Sequence, residues 1–430
     1  MKRRPAGSLR SLWAQLRGWV SVLGPGLITG ASDDDPSGIS TYSIAGASTG
    51  YSMLWTAVLT TPMMAVVQGM CARIGLVCGC GLTTALGKRF PVVVVRVLVI
   101  LVVLANTLNI GADIAGMGAS AHLVFKPVPE ALWSIGFVAT MVAVEVFVAY
   151  GPFALIAKIL CSALLAYVVT AFMVHVDWRM ALRRAVIPEV HVTGVWISTF
   201  LGVLGTTITP YLFFWQTSLE VEERAKRQPK GTFQHDPPSA REIADAHADV
   251  NTGMAYSNLI MFFIIVTAAA TLGAQHINIV TAQDAAAALR PLAGRFAELI
   301  FALGMVGAGL LAVPVLAGAS AYAVAETFSQ PEGLSLKPRK ARVFYGIIMA
   351  GIGIGLLIEV IGVDPIRALF WSAVINGVVA VPLLAAITVL ANDERVMGSW
   401  TNSRAANVWA ILTILLMSAA AVGLFVFWNS

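Results

Sequence analysis

Apolar runs of about 20 residues, the length at which a helix crosses the hydrocarbon core of a bilayer, recur along almost the whole of this 430-residue chain. In lipid no water pairs the backbone N–H and C=O groups, so a spanning segment must satisfy them itself, and runs of this length do so as α-helices. Composition agrees: 58% of the residues are hydrophobic and 12% charged, where an ordinary soluble domain carries roughly a quarter charged residues. A soluble multidomain enzyme is excluded. The apolar windows predict eleven spans, at 20-46, 52-74, 93-119, 131-150, 154-175, 193-218, 252-273, 296-325, 343-362, 366-390 and 407-428. The expected fold class is therefore all-α integral membrane, preceded by a tail over 1-19.

The formal charge of +5 does not point to nucleic acid, because the basic residues stand in short clusters between apolar runs. Most of the 28 Lys and Arg fall on one side if the N-terminus is cytoplasmic, and the positive-inside rule then orients the chain. An odd number of spans puts the C-terminus on the extracytoplasmic side. Charge runs at 220-241 and 329-342 read as solvated loops or headgroup contacts. Arg179, Arg183 and Arg184 lie in an outer loop and oppose the rule. Cys78 and Cys80 form a lone C-x-C without further ligands, and with Cys71 and Cys161 they read as reduced thiols. Met1 to Arg17 has no short apolar segment followed by a small-residue cleavage site, so no cleaved signal is expected. The lipid bilayer is the expected partner, with no obligate protein partner.

Two spans are interrupted. The first contains Asp33-Asp34-Asp35-Pro36-Ser37-Gly38, and span 6 contains Gly205-Thr206-Thr207-Ile208-Thr209-Pro210-Tyr211. Non-helical backbone at membrane depth is tolerated where it lines a cavity in the protein. Each break lies in the first span of a set of five, and an odd number of spans per set inverts the second set relative to the first. Residues 20-175 and 193-390 thus read as a five-plus-five inverted repeat with spans 1 and 6 unwound, followed by the span at 407-428. In such folds unwound carbonyls and half-helix carboxyl ends hold cations near the midplane. A carboxylate buried in a span costs at least about 2.5 kcal/mol on insertion scales, which makes a functional partner the default expectation. Asp35 abuts the break and is the favoured ligand; Asp33 and Asp34 line a vestibule or cap a half-helix.

The oxygen inventory comprises Asp35, the freed carbonyls near Asp35 and Thr206, the Thr209 hydroxyl, Asn376 in span 10, and Asn109 or Asp113 in span 3. This hard set suits magnesium, calcium or manganese. None of the 15 methionines sits at either break, and no histidine lies in the core of a span. Magnesium sheds water reluctantly, so a roomy site with few protein ligands fits it well. Glu145 and Glu326 lie nearer the interfaces. Asn258 and Gln216 read as interhelical glue, and the glycines at 304-309 and 351-355 as close-packing surfaces. Enzyme chemistry is not expected: no H-E-x-x-H pattern exists. No cofactor is expected either.

At its two breaks the sequence resembles the Nramp family of divalent-metal transporters, a resemblance that covers nearly the whole chain and implies a five-plus-five inverted repeat. Where that family has Asp-Pro-Gly-Asn, this chain has Asp35-Pro36-Ser37-Gly38; where it has Met-Pro-His, Thr209-Pro210-Tyr211 stand. The amide ligand has become Gly38, the thioether Thr209 and the imidazole Tyr211. Loss of the thioether removes the preference for softer metals, and the lost side chains widen the site. The pattern looks like the Nramp-related magnesium transporters, a branch that carries magnesium and manganese partly hydrated. Carried over by position, the ligands are Asp35, the Thr206 carbonyl and Asn376.

The resemblance also bears on coupling. Proton symport in the parent family is linked to the span 6 histidine and an acidic pair in span 3. Here Tyr211 replaces the first, and of the pair only Asp113 remains, with Gly116 at the second place. Uptake without proton symport, in the cell membrane (the bacterial cytoplasmic membrane), is the expectation. The rival readings are a proton-coupled manganese and iron importer and an amino-acid transporter on the same scaffold. The latter would normally hold a substrate carboxylate with half-helix amino ends, which three aspartates oppose.

Overall fold

The computed structural model describes residues 24–147, 162–227 and 237–427. Among them every regular element is helical. Fourteen helices carry the description: α1 Pro25–Asp33, α2 Pro36–Thr49, α3 Leu54–Cys78, α4 Val92–Val124, α5 Glu130–Phe147, α6 Leu165–Met173, α7 Trp178–Val186, α8 Gly194–Thr207, α9 Pro210–Arg227, α10 Ala240–Thr271, α11 Ala297–Thr327, α12 Arg342–Val360, α13 Pro365–Ala391 and α14 Arg404–Val426. Eight stretches are long and apolar enough to cross a membrane, or nine if the bent pair α6 and α7 counts as one span. The expected spans 1 and 2 meet as one apolar stretch from Pro36 to Cys78, and span 4 appears as the shorter apolar helix at Glu130–Ala143.

Burial orders the bundle. The window in the interrupted stretch of α8 and α9 is 94% buried, whereas those in α12 and α14 are 28% and 33% buried. The broken span is thus an axis of the bundle, and the last helices present their apolar faces outward, as lipid-facing helices do. Around that axis α10 packs against α1, α2 and α3, α8 against α13, and α4 against α11, α12 and α13. Of the glycines read as packing surfaces, Gly304, Gly309 and Gly355 lie in close contacts, whereas a Cβ on Gly353 would meet nothing within 4 Å. A Cβ on Gly309 would lie 2.2 Å from Met117 Sδ, and one on Gly355 would lie 3.0 Å from the Gly111 nitrogen.

Three expectations change. The helix expected over 252-273 begins twelve residues earlier, at Ala240, because Ser239 and Glu242 form a reciprocal capping box; the capping residues pair the orphan N–H groups at the helix start. Arg224 is not a solvated loop residue. It is buried, donates to the Leu76 carbonyl at 3.1 Å and pairs with Glu242 at 3.2 Å, joining α3, α9 and α10. The arginines that oppose the positive-inside rule stand on α7, which bends 120° from the preceding helix. Asp177 caps it, and Arg184 pairs with Glu189 at 2.9 Å. The tail at 1-19, Cys161 and the side chain of Glu145 lie outside the described residues.

Candidate metal-ion site

Helix α1 ends at Asp33; Asp34 (φ −81°, ψ 59°) and the extended Asp35 (φ −73°, ψ 172°) break it, and Pro36 opens α2. Proline supplies no N–H to the carbonyl four residues back, which is that of Ser32. The Tyr211 hydroxyl donates to that carbonyl instead, at 2.8 Å. Asp35 is the N-cap of α2: its Oδ1 accepts from the Gly38 amide at 2.7 Å and the Ser37 hydroxyl at 2.8 Å. Its Oδ2 accepts from Asn109 Nδ2 of α4 at 2.9 Å. The carboxylate is thereby fixed in direction while keeping lone pairs for a cation.

The far end of α1 is anchored as well. Asp249 of α10 accepts from the amides of Gly24 at 2.9 Å, Gly26 at 2.7 Å and Leu27 at 3.2 Å. These orphan donors at a helix start favour an anion. The two helices approach so closely that a Cβ on Gly30 would lie 2.3 Å from the Gly253 carbonyl oxygen.

The second break repeats this plan without charge. Helix α8 ends at Thr207, Ile208 turns (φ −108°, ψ 63°), and Pro210 opens α9. Pro210 brings no N–H to the Thr206 carbonyl. The Oγ1 atoms of Thr206 and Thr209 are buried without a hydrogen-bond partner. A Cβ on Gly205 would fall 2.0 Å from the Ala373 carbonyl oxygen, so α8 lies directly on α13, the helix that carries Asn376. Asn376 donates to Asn109 Oδ1 at 3.5 Å, and its own Oδ1 is buried without a partner. Gly38 sits between the two breaks. A Cβ there would be 3.0 Å from Thr206 Oγ1 and 3.4 Å from Asp35 Oδ1.

The structure thus gathers Asp35, Gly38, Thr206, Asn109 and Asn376, drawn from α2, α4, α8 and α13 and distant in sequence. Asp35, Thr206, Thr209, Asn109 and Asn376 are each no more than 2% exposed, so the site is closed to both sides. Asp113 lies one turn along α4, with Oδ2 3.4 Å from Asn109 Nδ2 and Oδ1 unpartnered. Asp33 and Asp34 turn toward α10 and share the Ser257 hydroxyl, at 2.6 Å and 3.3 Å. Among the described residues no three His, Cys, Asp or Glu side chains converge in a geometry that could hold a metal. A cation here would be held by one carboxylate with amide, hydroxyl and carbonyl oxygens.

Three residues escaped the sequence reading. Ser37 follows the break proline and was legible as a short side chain able to bond a neighbouring cap. Tyr42 lies one helical turn beyond Gly38, and a Cβ on Gly38 would lie 3.4 Å from its ring. Ser257 lies in a helix over two hundred residues away and carried no local signal. Gln216 accepts from Thr29 at 2.5 Å and Asn258 from Thr60 at 2.6 Å; both are interhelical bonds. Cys71, Cys78 and Cys80 are free thiols.

A separate acidic group stands at the ends of α9 and α11. Glu222 accepts from the Tyr322 hydroxyl and, at 2.8 Å, from the Leu334 amide; Glu326 accepts from the Thr84 amide at 2.7 Å. Beside them, burial first and then the charges of Glu326 and Glu222 push the carboxyl of Glu332 up to about 9.

Comparison with known proteins bears on the fold and the family. Over 98% of its length the chain is 24% identical to the divalent metal cation transporter MntH of Acidiphilium cryptum, 92% of which is covered. The crystal structure of the Eremococcus coleocola manganese transporter, bound to an aromatic bis-isothiourea compound, superposes with a TM-score of 0.72 at 18% identity, covering 98% of this chain and 88% of that one. The nucleobase-cation-symport-1 family transporter Mhp1 superposes with a TM-score of 0.59 at 15% identity, covering 94% and 92%; the architecture is thus LeuT-like. The model of the Nramp family, natural resistance-associated macrophage protein-like, matches residues 26–427; with both helix breaks in place, the chain belongs to the Nramp family.

Proposed function

We propose that this protein moves divalent cations, magnesium and also manganese, across the membrane as partly hydrated ions by alternating access. The observation that carries this reading is the set of buried oxygens left without partners beside Asp35 and at the second break: Thr206 Oγ1, Thr209 Oγ1, Asn376 Oδ1 and Asp113 Oδ1. An unsatisfied buried polar group costs about 1–3 kcal/mol, and an oxygen-seeking cation with its waters compensates all of them together. No sulfur or imidazole joins the set, which favours hard ions. A Cβ on Gly38 would meet Thr206 Oγ1 at 3.0 Å, so glycine here keeps a side chain out of the gap between the two breaks. The related proteins named for divalent metal and manganese transport support the cargo class.

In this reading Asp35, the Thr206 carbonyl, Thr209 and Asn376 hold the ion. Asn109, bonded to Asp35 and Asn376, and Tyr211, which joins the second break to the first, line its path with Asp33, Asp34 and Asp113. The half-helices of spans 1 and 6, moving with spans 5 and 10, rock against a frame of the remaining helices about this point, with the N-terminus cytoplasmic. Transport needs no proton. The membrane potential contributes about 2.3 kcal/mol per charge per 100 mV, so a divalent ion gains roughly twice that on entry. Tyr211 supplies no imidazole to carry a proton, and its hydroxyl is engaged with Ser32.

Proteoliposomes containing a magnesium-sensitive dye test both parts. Magnesium uptake competed by manganese, with no lumenal acidification at zero voltage, is the expected result. Manganese entry that ignores millimolar magnesium, or metal-driven acidification, would replace this reading with a proton-coupled manganese and iron importer.

A further inference from the structure

Asp33, Asp34, Asp35 and Asp113 are all 2% exposed or less, and among the described residues no Lys, Arg or His forms an ion pair with any of them. One divalent cation at Asp35 balances at most two of these charges. Uncompensated carboxylates in low dielectric are costly, so the remaining pair needs either protons or a cation of its own.

Ser257 shows where such a cation would sit. Its Oγ is 2.6 Å from Asp33 Oδ2 and 3.3 Å from Asp34 Oδ1, yet a hydroxyl has one hydrogen and can donate to only one carboxylate. The other approach sets oxygen against oxygen. Asp33 Oδ1 and Asp34 Oδ2 are also buried without partners. Two carboxylates and a hydroxyl thus meet with two oxygens unclaimed, on the α10 side of the break and apart from the donors that hold Asp35.

From this we infer a second cation site, formed by Asp33, Asp34 and Ser257, that takes a second divalent ion of the cargo with waters completing its shell. This rests on the reading of Asp35 as an ion ligand. Two divalent ions balance the four carboxylates. Their mutual repulsion also lets either ion leave a site that would otherwise hold it too tightly, as neighbouring ions do in multi-ion channels.

Manganese serves as the probe for the full-length protein in detergent, with bound ion counted by equilibrium dialysis and spin proximity read by electron paramagnetic resonance. Wild type is expected to saturate at about two ions per chain, with a line broadened by the neighbouring spin, and Asp33→Asn/Asp34→Asn at about one, unbroadened. Ser257→Ala, a milder change, should weaken the second equivalent about tenfold and leave the first in place. Saturation of wild type at one ion, or two ions retained in Asp33→Asn/Asp34→Asn, overturns the second site. Asp35→Asn separates the failures. If the single ion is lost there, the proposed function survives and only the second site falls; if wild type binds no manganese, both fall.

Discussion

The two helix breaks share a plan and differ in what they offer. Each is a half-turn followed by proline, and each frees the carbonyl four residues before that proline. At the first, Asp35 caps the following half-helix with its own carboxylate and the freed Ser32 carbonyl is taken by Tyr211. At the second, nothing charged is present, and the Thr206 and Thr209 hydroxyls lie without partners. The first break supplies fixed charge; the second supplies neutral oxygens. A divalent ion needs both, because charge alone binds without selecting and neutral dipoles alone select without holding.

Variants can break this contrast. Asp35→Ala should have the largest effect, lowering divalent uptake by at least about 100-fold with expression and monodispersity intact, since it removes the carboxylate that caps the half-helix and holds the ion. Flux that survives neutralisation of Asp35 would remove the basis of the site. Thr209→Met with Gly38→Asn should shift the preference from magnesium toward manganese by about tenfold in uptake competition. Because a Cβ at Gly38 meets Thr206 Oγ1 at 3.0 Å, total uptake should fall as well; unchanged selectivity would count against these positions.

Smaller effects sharpen the comparison. Tyr211→Phe deletes the hydroxyl that joins the second break to the first, and should cost about 1 kcal/mol of stability in thermal unfolding while slowing transport less than Asp35→Ala. An effect as large as that of Asp35→Ala would make Tyr211 a participant in transport. The smallest effect concerns Glu332, outside the spans. Its folded carboxyl titrates near 9, above its ordinary value, so the folded state holds an extra proton between those limits and stability falls as pH rises through that window. Glu332→Gln should flatten the decline in melting temperature between about pH 5 and 9; an unchanged slope would assign it to other groups.

Much of the fold was legible because bilayer thickness sets helix length and lipid forbids unpaired backbone. The breaks were legible for the same reason: Pro36 and Pro210 stand out in an apolar run. The start of α10 was not, because half of its first twelve residues are charged or polar and the hydropathy window that finds spans passes over them. Arg224 was missed for a related reason. A cation next to loop charges reads as solvated until the fold places Leu76 and Glu242 against it.

By itself the sequence determined that the chain is a helical membrane protein with a carboxylate at one interrupted span and a threonine-rich interruption at another. These follow from local chemistry, the hydropathy of a window and the missing N–H of a proline. Only the tertiary structure decided that Asn109 and Asn376 join Asp35 and Thr206, that Asp249 holds the start of α1, and that Ser257 stands between Asp33 and Asp34. Those partners are brought together by glycine-lined packing of helices far apart in the chain, a long-range property that no window of sequence contains.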